Sequence, residues 1–276
     1  NTTASYNTAI GNEAMGNNVD GSRNTAVGYA ALFTMDPDSA TDTHNTAVGF
    51  ESLKLNTTGT QNTALGSGAL DANTTASSNT AVGYNSLSAN TTGIANVGLG
   101  QNSLASNTTA SDNTALGSHS LDTNTTGASN TGVGRNALRA NTTASNNTAV
   151  GKDSLLANTT GTQNTSVGGS SLDANTTGNY NTAVGFGSLS ANTTASESTA
   201  VGAGALQANT TGANNTAVGR LALGANTTGV QQVAFGSEAL DANTEGNYNA
   251  AFGHGALGSN TTASNNTGIG TYSLTA

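Results

Sequence analysis

A 17-residue unit recurs along the whole chain, and this period constrains the fold more than any other feature. The unit reads N-T-A-V-G-x-x-[SA]-L-x-A-N-T-T-[GA]-x-x, and its residues are called positions 1 to 17. A fixed period of this size is typical of repeat proteins, in which each unit buries its apolar side chains by stacking on its neighbours. Every interval is 17 residues except one of 21. Copies begin at Asn7, Asn24, Asn45, Asn62, Asn79, Asn96, Asn113, Asn130, Asn147, Asn164, Asn181, Ser198, Asn215, Gln232, Asn249 and Asn266.

The alternation of the T-A-V segment predicts a short β-strand with positions 2 and 4 on one side and position 3 on the other. Position 4 is Val, Ile, Leu or Phe in all sixteen copies, and position 9 is Leu in fifteen. We therefore expect positions 4 and 9 to face inward. The Gly at position 5 ends the strand, because Gly accepts conformations that other residues avoid. The predicted core is represented by Val27, Leu32, Val48, Leu53, Val82, Leu87, Val150, Leu155, Val184, Leu189, Val218 and Leu223.

These segments together predict an all-β fold, a parallel β-solenoid in which each repeat forms one coil. A second short strand is expected at [SA]-L-x-A, followed by a turn at N-T-T. A helix is disfavoured, because the apolar spacings of 5 and 12 do not fit its period. T-T-G and T-T-A alternate between Asn56 and Asn158, which leaves open a coil built from two repeats. Residues 1–276 are predicted to be one repeat domain of sixteen coils, with a four-residue insertion within residues 33–44.

The predicted coil has few large apolar residues, so a single narrow solenoid would be only marginally stable. Burying a large side chain contributes roughly 1.5–3 kcal/mol, against about 1–2 kcal/mol of backbone entropy for each ordered residue. Lateral association would cover Ala and Leu side chains. We therefore expect a homotrimer or a bundle of identical chains.

Charge and composition exclude several classes of partner and site. The net charge is −9 with only six basic residues, which argues against nucleic acid because its backbone requires a basic surface. No apolar run approaches the ~20 residues of a membrane span. Cysteine is absent from the sequence, so disulfides and thiolate metal sites are excluded. No catalytic set, phosphate loop or paired carboxylates recur in register, and we expect no enzymatic activity and no cofactor or metal.

The repeat resembles those of two groups of surface and fibre proteins. The run N-T-A-V-G-x-x-S at Asn181–Ser188 resembles the S-V-A-I-G-x-x-S repeat in the heads of YadA-type trimeric autotransporter adhesins. N-T-A-V-G-Y-N-S-L-S-A-N-T-T-G at Asn79–Gly93 is similar to repeats of bacterial and phage tail-fibre-domain proteins. The resemblance implies a left-handed parallel β-roll, three chains around one axis, and adhesion or receptor display. This chain departs from the adhesin repeat in its longer period and in having Thr at position 2.

The N-T-T triplet suggests two interpretations. Each triplet matches the N-x-[ST] acceptor of N-glycosylation, which would require an outward Asn. Alternatively, the Asn and Thr side chains stack in ladders along a turn, and this is the interpretation that we favour. The triplet begins at Asn1 and at the candidate acceptors Asn56, Asn73, Asn90, Asn107, Asn124, Asn141, Asn158, Asn175, Asn192, Asn209, Asn226 and Asn260.

Three further patterns carry weaker alternatives. Regular Thr rows on a solenoid can bind ice, but ice-binding faces usually pair Thr two apart in a strand, whereas the N-T-T threonines are adjacent in a turn. Asp36, Asp38 and Asp42 loosely resemble a calcium loop that lacks its Gly and its closing Glu, and a surface insertion is the simpler interpretation. His119 and His254 occupy variable positions of the repeat and are expected to be exposed.

The sequence as a whole favours a non-enzymatic structural or adhesive segment of an extracellular fibre. It would belong to a surface adhesin, a filament or a phage tail fibre, at a cell surface or on a virion. An ice- or carbohydrate-binding solenoid is the alternative. The expected partners are identical chains, with glycans or a host-surface receptor as further candidates. Since Ala276 would join another Asn1 in register, we also expect identical coils beyond both ends, in a longer chain or by head-to-tail stacking.

Overall fold

A computed structural model describes residues 3–275, and these residues form strands and turns without a helix. The expectation for Asn1 and Ala276 therefore concerns residues outside the described range. The chain divides into two compact units, Asn1–Asn136 and Ala137–Ala276. The first unit contains β1 (Thr8–Ile10), β2 (Gly21–Ser22), β3 (Thr25–Val27), β4 (Thr41–Asp42), β5 (Thr46–Val48), β6 (Thr63–Leu65), β7 (Thr80–Val82), β8 (Val97–Leu99), β9 (Thr114–Leu116) and β10 (Thr131–Val133). The second contains β11 (Thr148–Val150), β12 (Thr165–Val167), β13 (Thr182–Val184), β14 (Thr199–Val201), β15 (Thr216–Val218), β16 (Val233–Phe235), β17 (Ala250–Phe252) and β18 (Thr267–Ile269).

Within each unit, successive repeats stack as parallel strands in strict register. Thr63 pairs with Thr80 in the first unit, and Thr182 pairs with Thr199 in the second, each 17 residues further along. Because adjacent repeats pair directly, each repeat forms one coil and the two-repeat coil is excluded. The predicted parallel β-solenoid is confirmed. The insertion changes the β3–β5 shift to 21 residues, and its extra length is accommodated beside the small parallel pair of β2 and β4.

The side chains of the T-A-V strand face the opposite way from the sequence prediction. Position 3, which is Ala, Gly or Ser in every copy, points inward, and Ala81 and Ala183 are completely buried. The interior there has no room for a larger side chain: a Cβ built on Gly98 would lie 2.5 Å from the Ser86 hydroxyl. The size of the side chain, and not its hydrophobicity, therefore determines which residues of the strand face inward. The position-4 residues placed in the core by sequence alone are only half-buried and face outward, namely Val27, Val48, Val82, Val150, Val184 and Val218.

The position-9 leucines form the apolar core of both units, as expected for that position. From Leu32 to Leu240 each of them is completely buried, whereas Leu274 in the last coil is 62% exposed. The predicted core residues Leu32, Leu53, Leu87, Leu155, Leu189 and Leu223 are all completely buried.

The second predicted strand, around position 9, is wrong. Leu87 has a φ of 53° and Asn85 a φ of 52°, so this segment turns through the left-handed region instead of extending. Such a conformation costs roughly 1–2 kcal/mol for a residue other than Gly. The Asn85 amide donates to the Ser67 carbonyl of the preceding coil at 3.0 Å, and the Leu87 amide donates to Ser103 of the following coil at 2.9 Å. These bonds to both neighbours, together with the complete burial of Leu87, offset the strain.

Gly at position 5 is required by its conformation and by its close contact with the next coil. Gly83 has a φ of +132°, and a Cβ at this position would lie 2.6 Å from the Gly100 carbonyl oxygen. Neighbouring main chains thus approach too closely for any side chain.

We predict that Gly83→Ala destabilises the fold much more than Gly93→Ala in the same coil. Strain at position 5 alone should lower the free energy of unfolding by about 2 kcal/mol or more. A Cβ at Gly93 would also meet a carbonyl, at 2.1 Å from Ala110. Position 15 nevertheless accepts Ala in both flanking coils, at Ala76 and Ala110, which are buried.

The cost at position 15 is one main-chain hydrogen bond. The Thr92 amide, beside Gly93, donates to the Thr108 carbonyl at 3.3 Å, and within residues 3–275 neither Thr75 nor Thr109, beside the alanines, makes the equivalent bond. Gly93→Ala should therefore cost about 1 kcal/mol. Urea unfolding of both variants measures the loss in the free energy of unfolding caused by each substitution. Equal losses would contradict the specific requirement for Gly at position 5.

Candidate functional site

The Asn side chains at position 12 form a ladder inside each unit. The Asn90 Nδ2 donates to the Asn73 Oδ1 of the preceding coil at 3.1 Å and to the Gly93 carbonyl of its own coil at 3.0 Å. Asn107 continues the ladder by donating to the Asn90 Oδ1 at 2.9 Å. Each amide group therefore links two coils and also closes the turn that follows it.

This ladder overturns the interpretation of these residues as glycosylation acceptors. Attachment requires an accessible Nδ2, but both hydrogens of the amide are engaged and the group lies in a filled interior. Asn260 is half-buried, and Asn1 lies outside the described residues. The completely buried acceptors are Asn56, Asn73, Asn90, Asn107, Asn124, Asn141, Asn158, Asn175, Asn192, Asn209 and Asn226.

A second buried ladder runs through the Asn at position 1, which the sequence reasoning missed. The Asn79 Oδ1 accepts the main-chain amide of Asn96 at 2.9 Å, and the Asn79 Nδ2 crosses the coil to the Gly93 carbonyl at 2.9 Å. That carbonyl therefore accepts two side-chain amides, one from position 1 and one from position 12. The available signal was the presence of Asn in fourteen of sixteen copies immediately before a strand.

The two copies without Asn at position 1 show how the ladder tolerates substitution. The Gln232 side chain reaches the Asn226 Oδ1 with its Nε2 at 2.8 Å. The shorter Ser198 accepts the Asn215 amide at 3.4 Å, a longer bond than that of the Asn copies. Both residues are completely buried. A polar, hydrogen-bonding side chain is thus retained at this position in every copy.

The first Thr of each triplet forms a third ladder, at the edge of the coil. The Thr159 hydroxyl donates to the Thr176 carbonyl of the next coil at 3.0 Å, and Thr74 donates to Thr91 at 3.2 Å. The structure therefore shows the favoured interpretation of N-T-T, a turn with stacked side chains. Since these hydroxyls bond within the protein, the turn row is a poor candidate for binding ice.

The outward side of the strands is an uncharged face of Thr or a small apolar residue at position 2 and a larger apolar residue at position 4. Between the first and the last coil, the exposure of position 4 reaches 54% at Phe235 and 48% at Leu65. Exposed aromatic rings lie nearby at position 6, where Tyr29 and Phe50 stack with centroids 5.2 Å apart. The large exposed side chains are thus concentrated beside the strands.

The insertion does not gather the three candidate calcium ligands. Asp36 and Asp38 are exposed, and the Asp36 carboxylate accepts the Val19 amide at 3.2 Å. Asp42 instead pairs with Arg23 at 2.8 Å, and that guanidinium lies 4.8 Å from the centre of the Tyr6 ring. Among residues 3–275, no group of three His, Asp or Glu side chains is arranged to hold a metal ion. Within the insertion, the Met35 side chain is completely buried.

His119 and His254 have different surface partners. The His119 Nδ1 lies 2.9 Å from the Asp122 carboxylate. The His254 Nε2 lies 2.8 Å from the Tyr272 hydroxyl, and its Nδ1 lies 3.0 Å from the Ser237 carbonyl. Both side chains are half-buried, not exposed as expected, because each packs against these neighbours.

Three aspartates at position 10 are perturbed by burial. Desolvation raises the pKa of Asp71, Asp173 and Asp241 above the ordinary Asp value, and bonds from backbone amides only partly oppose it. The carboxylates of Asp71 and Asp173 each keep one buried oxygen without a hydrogen-bond partner. These groups therefore destabilise the fold when they are ionised.

Comparison with known proteins does not assign the chain to a family. No protein-family model matches the sequence, and no curated protein matches it.

We predict that Asn107→Ala lowers the free energy of unfolding by about 3 kcal/mol, because it removes buried hydrogen bonds and leaves the Asn90 Oδ1 without its donor. The matched control is Thr109→Ala, an exposed position of the same turn, which should change stability by less than about 0.5 kcal/mol. Urea unfolding of both variants provides the measurement. Equal stability of the two variants would contradict the importance of the ladder.

We also predict that Asp71→Asn stabilises the protein at neutral pH. The pKa of Asp71 is higher in the folded than in the unfolded chain, so its ionisation opposes folding as the pH rises through the folded pKa. The free energy of unfolding should accordingly rise as the pH falls from neutral and level off below the ordinary pKa of Asp. Thermal unfolding between pH 7 and pH 3 (about the ordinary Asp range) should show a weaker dependence in Asp71→Asn than in Asp112→Asn, an exposed control. Identical pH profiles of the two variants would refute this assignment.

Proposed function

We propose that the chain is a non-enzymatic structural or adhesive segment of an extracellular fibre, belonging to a surface adhesin, a filament or a phage tail fibre. The single observation that supports this most directly is the double Asn ladder. It connects each coil to its neighbours inside each unit, so that stability accumulates with the number of coils. Such a construction is suited to holding a long, regular surface in a fixed form.

The main chain reinforces the ladders along the same direction. Within one coil, the amides of Thr80 and Leu87 donate to the next coil at 2.8 and 2.9 Å, and that of Gly83 donates to the preceding coil at 2.8 Å. Pulling two coils apart must break these bonds together with the Asn and Thr bonds. Resistance to shear or extension is the mechanical property expected of a fibre segment.

The surface is compatible with exposure to solvent and with contacts to neutral ligands. The charged side chains form scattered ion pairs, such as Lys54 with Glu51 at 2.7 Å and Arg220 with Glu238 at 2.7 Å. No helix among residues 3–275 could cross a lipid bilayer. Exposed rings, including Phe186 at 72% and Tyr180 at 57%, offer flat apolar surfaces of the kind that stack on sugar rings in a glycan receptor.

Lateral association is not needed to bury the small and apolar side chains of the coil. Ala81 and Leu87, of the residue types that bundling is expected to cover, are already completely buried within one chain. Narrowness of the coil therefore does not require a partner. The homotrimer remains a proposal supported by the resemblance to adhesin heads, and head-to-tail assembly remains one supported by the periodicity of the chain.

The location of the native protein tests the proposed function. Antibodies raised against the folded chain, followed by immunogold electron microscopy of the intact cells or virions that carry it, should label external filaments or tail fibres. Serum depleted on the folded chain serves as the control. Specific label confined to the cell interior would contradict the proposal.

A further inference from the structure

We propose that the outward face of five consecutive strands in the second unit binds ice. This Thr–Val face consists of Thr148, Val150, Thr165, Val167, Thr182, Val184, Thr199, Val201, Thr216 and Val218. Each of these strands, β11 to β15, has the sequence T-x-V. The inference goes beyond the proposed fibre function and does not rest on it.

The face has a regular repeat in two directions. The strands β11 to β15 pair in parallel without a shift, so that Thr lies beside Thr and Val beside Val throughout. Paired strands lie about 4.8 Å apart, and residues two apart in a strand lie about 6.6 Å apart. Both distances are close to the repeats of oxygen atoms on planes of hexagonal ice. A crystalline ligand requires such two-dimensional regularity, whereas an irregular protein partner does not.

The hydroxyl groups of this face are available to an external ligand. Within residues 3–275, the position-2 hydroxyls of β11 to β15 have no hydrogen-bond partner, whereas the turn hydroxyls of Thr159 and Thr176 donate to carbonyls of the next coil. Each free hydroxyl is accompanied by its own methyl group and by the Val two residues later. The face therefore combines ordered hydrogen-bonding groups with methyl groups, and it carries no charge.

The threonines of this face differ from those of the N-T-T triplets, which are adjacent in a turn and therefore unlike an ice-binding row. The structure places the position-2 threonines on the strands instead. Because position 4 points outward instead of inward, Thr and Val are both displayed two residues apart. The regular array ends at β16 and β17, where position 2 is Val233 or Ala250 and position 4 is an exposed Phe.

A second copy of the chain is the rival occupant of this face. Association of two copies through this face must overcome the repulsion between chains of net charge −9, whereas ice is neutral. The Val side chains of this face are at most 37% exposed, which leaves little additional apolar area for a dimer to cover. The charge and the lattice match together favour ice.

The test is the thermal hysteresis of the full chain, measured as the gap between the melting and freezing points of a single ice crystal. We expect a measurable gap and faceted crystals for the natural sequence. Thr182→Tyr, at the centre of the Thr–Val face, should lose most of that gap because the bulky ring prevents a flat contact. Thr194→Tyr introduces the same ring at an exposed turn position of the same coil and should retain the gap.

Circular dichroism and sedimentation equilibrium accompany the measurement. Absence of hysteresis in the natural sequence overturns the proposal whether or not the variants fold. Equal losses in two folded variants also overturn it, because they would place the activity elsewhere. A dimer that dissociates on Thr182→Tyr would assign the face to a second copy of the chain and would equally overturn ice binding.

Discussion

In most coils, one main-chain carbonyl accepts hydrogen bonds from the asparagine side chains at positions 1 and 12, and the closure of the coil depends on this arrangement. In the coil that begins at Asn79, the acceptor is Gly93, and the donors are Asn79 and Asn90 at 2.9 and 3.0 Å. Asn79 reaches this carbonyl across the interior from fourteen residues away, whereas Asn90 closes the local turn from three residues away. A buried carbonyl without these donors would cost roughly 1–3 kcal/mol. The hydrogen bonds that close the coil are therefore the same ones that satisfy its buried polar groups.

The narrow interior then determines which residues can enter it. Only small side chains fit at position 3, as the short distance from a Cβ built on Gly98 to the Ser86 hydroxyl shows. One large apolar side chain fits in each coil, at position 9, and Leu87 must adopt a left-handed conformation to enter. The approach of neighbouring main chains at Gly83 excludes a side chain altogether. The remaining larger residues, including Val82, are left on the outside.

Sequence reasoning reached the architecture because periodicity determines it, and the Leu at position 9 was recognised because apolar identity and burial agree there. It failed for Val82 and Val184 because the rule that apolar residues lie inside ignores the width of the coil. A strand alternation alone cannot tell which of its two sides faces inward; the space available to Ala81 decides it. The position-1 ladder was missed because an Asn before a strand resembles an ordinary turn residue. Its role depends on the carbonyl of Gly93, fourteen residues away, which no local pattern identifies.

Side-chain hydrogen bonds also distinguish the two kinds of Thr row. Hydroxyls of the turn, such as that of Thr159, are used to hold coils together. Those of the strands, such as that of Thr182, face outward beside Val184 and determine how the surface meets water. A single repeat thus supplies both a stabilising row and a free, regular surface, which is why a fibre segment and an ice-binding face are compatible in one chain.

The most direct test of this account is the hydrogen exchange of Asn side-chain amides, followed by NMR on the folded chain. The Nδ2 hydrogens of Asn79 and Asn90, buried and hydrogen-bonded, should exchange orders of magnitude more slowly than those of the exposed Asn214. Slow exchange at both ladder positions would establish that the coil is closed by its asparagines. Exchange at Asn79 and Asn90 as fast as at Asn214 would contradict it.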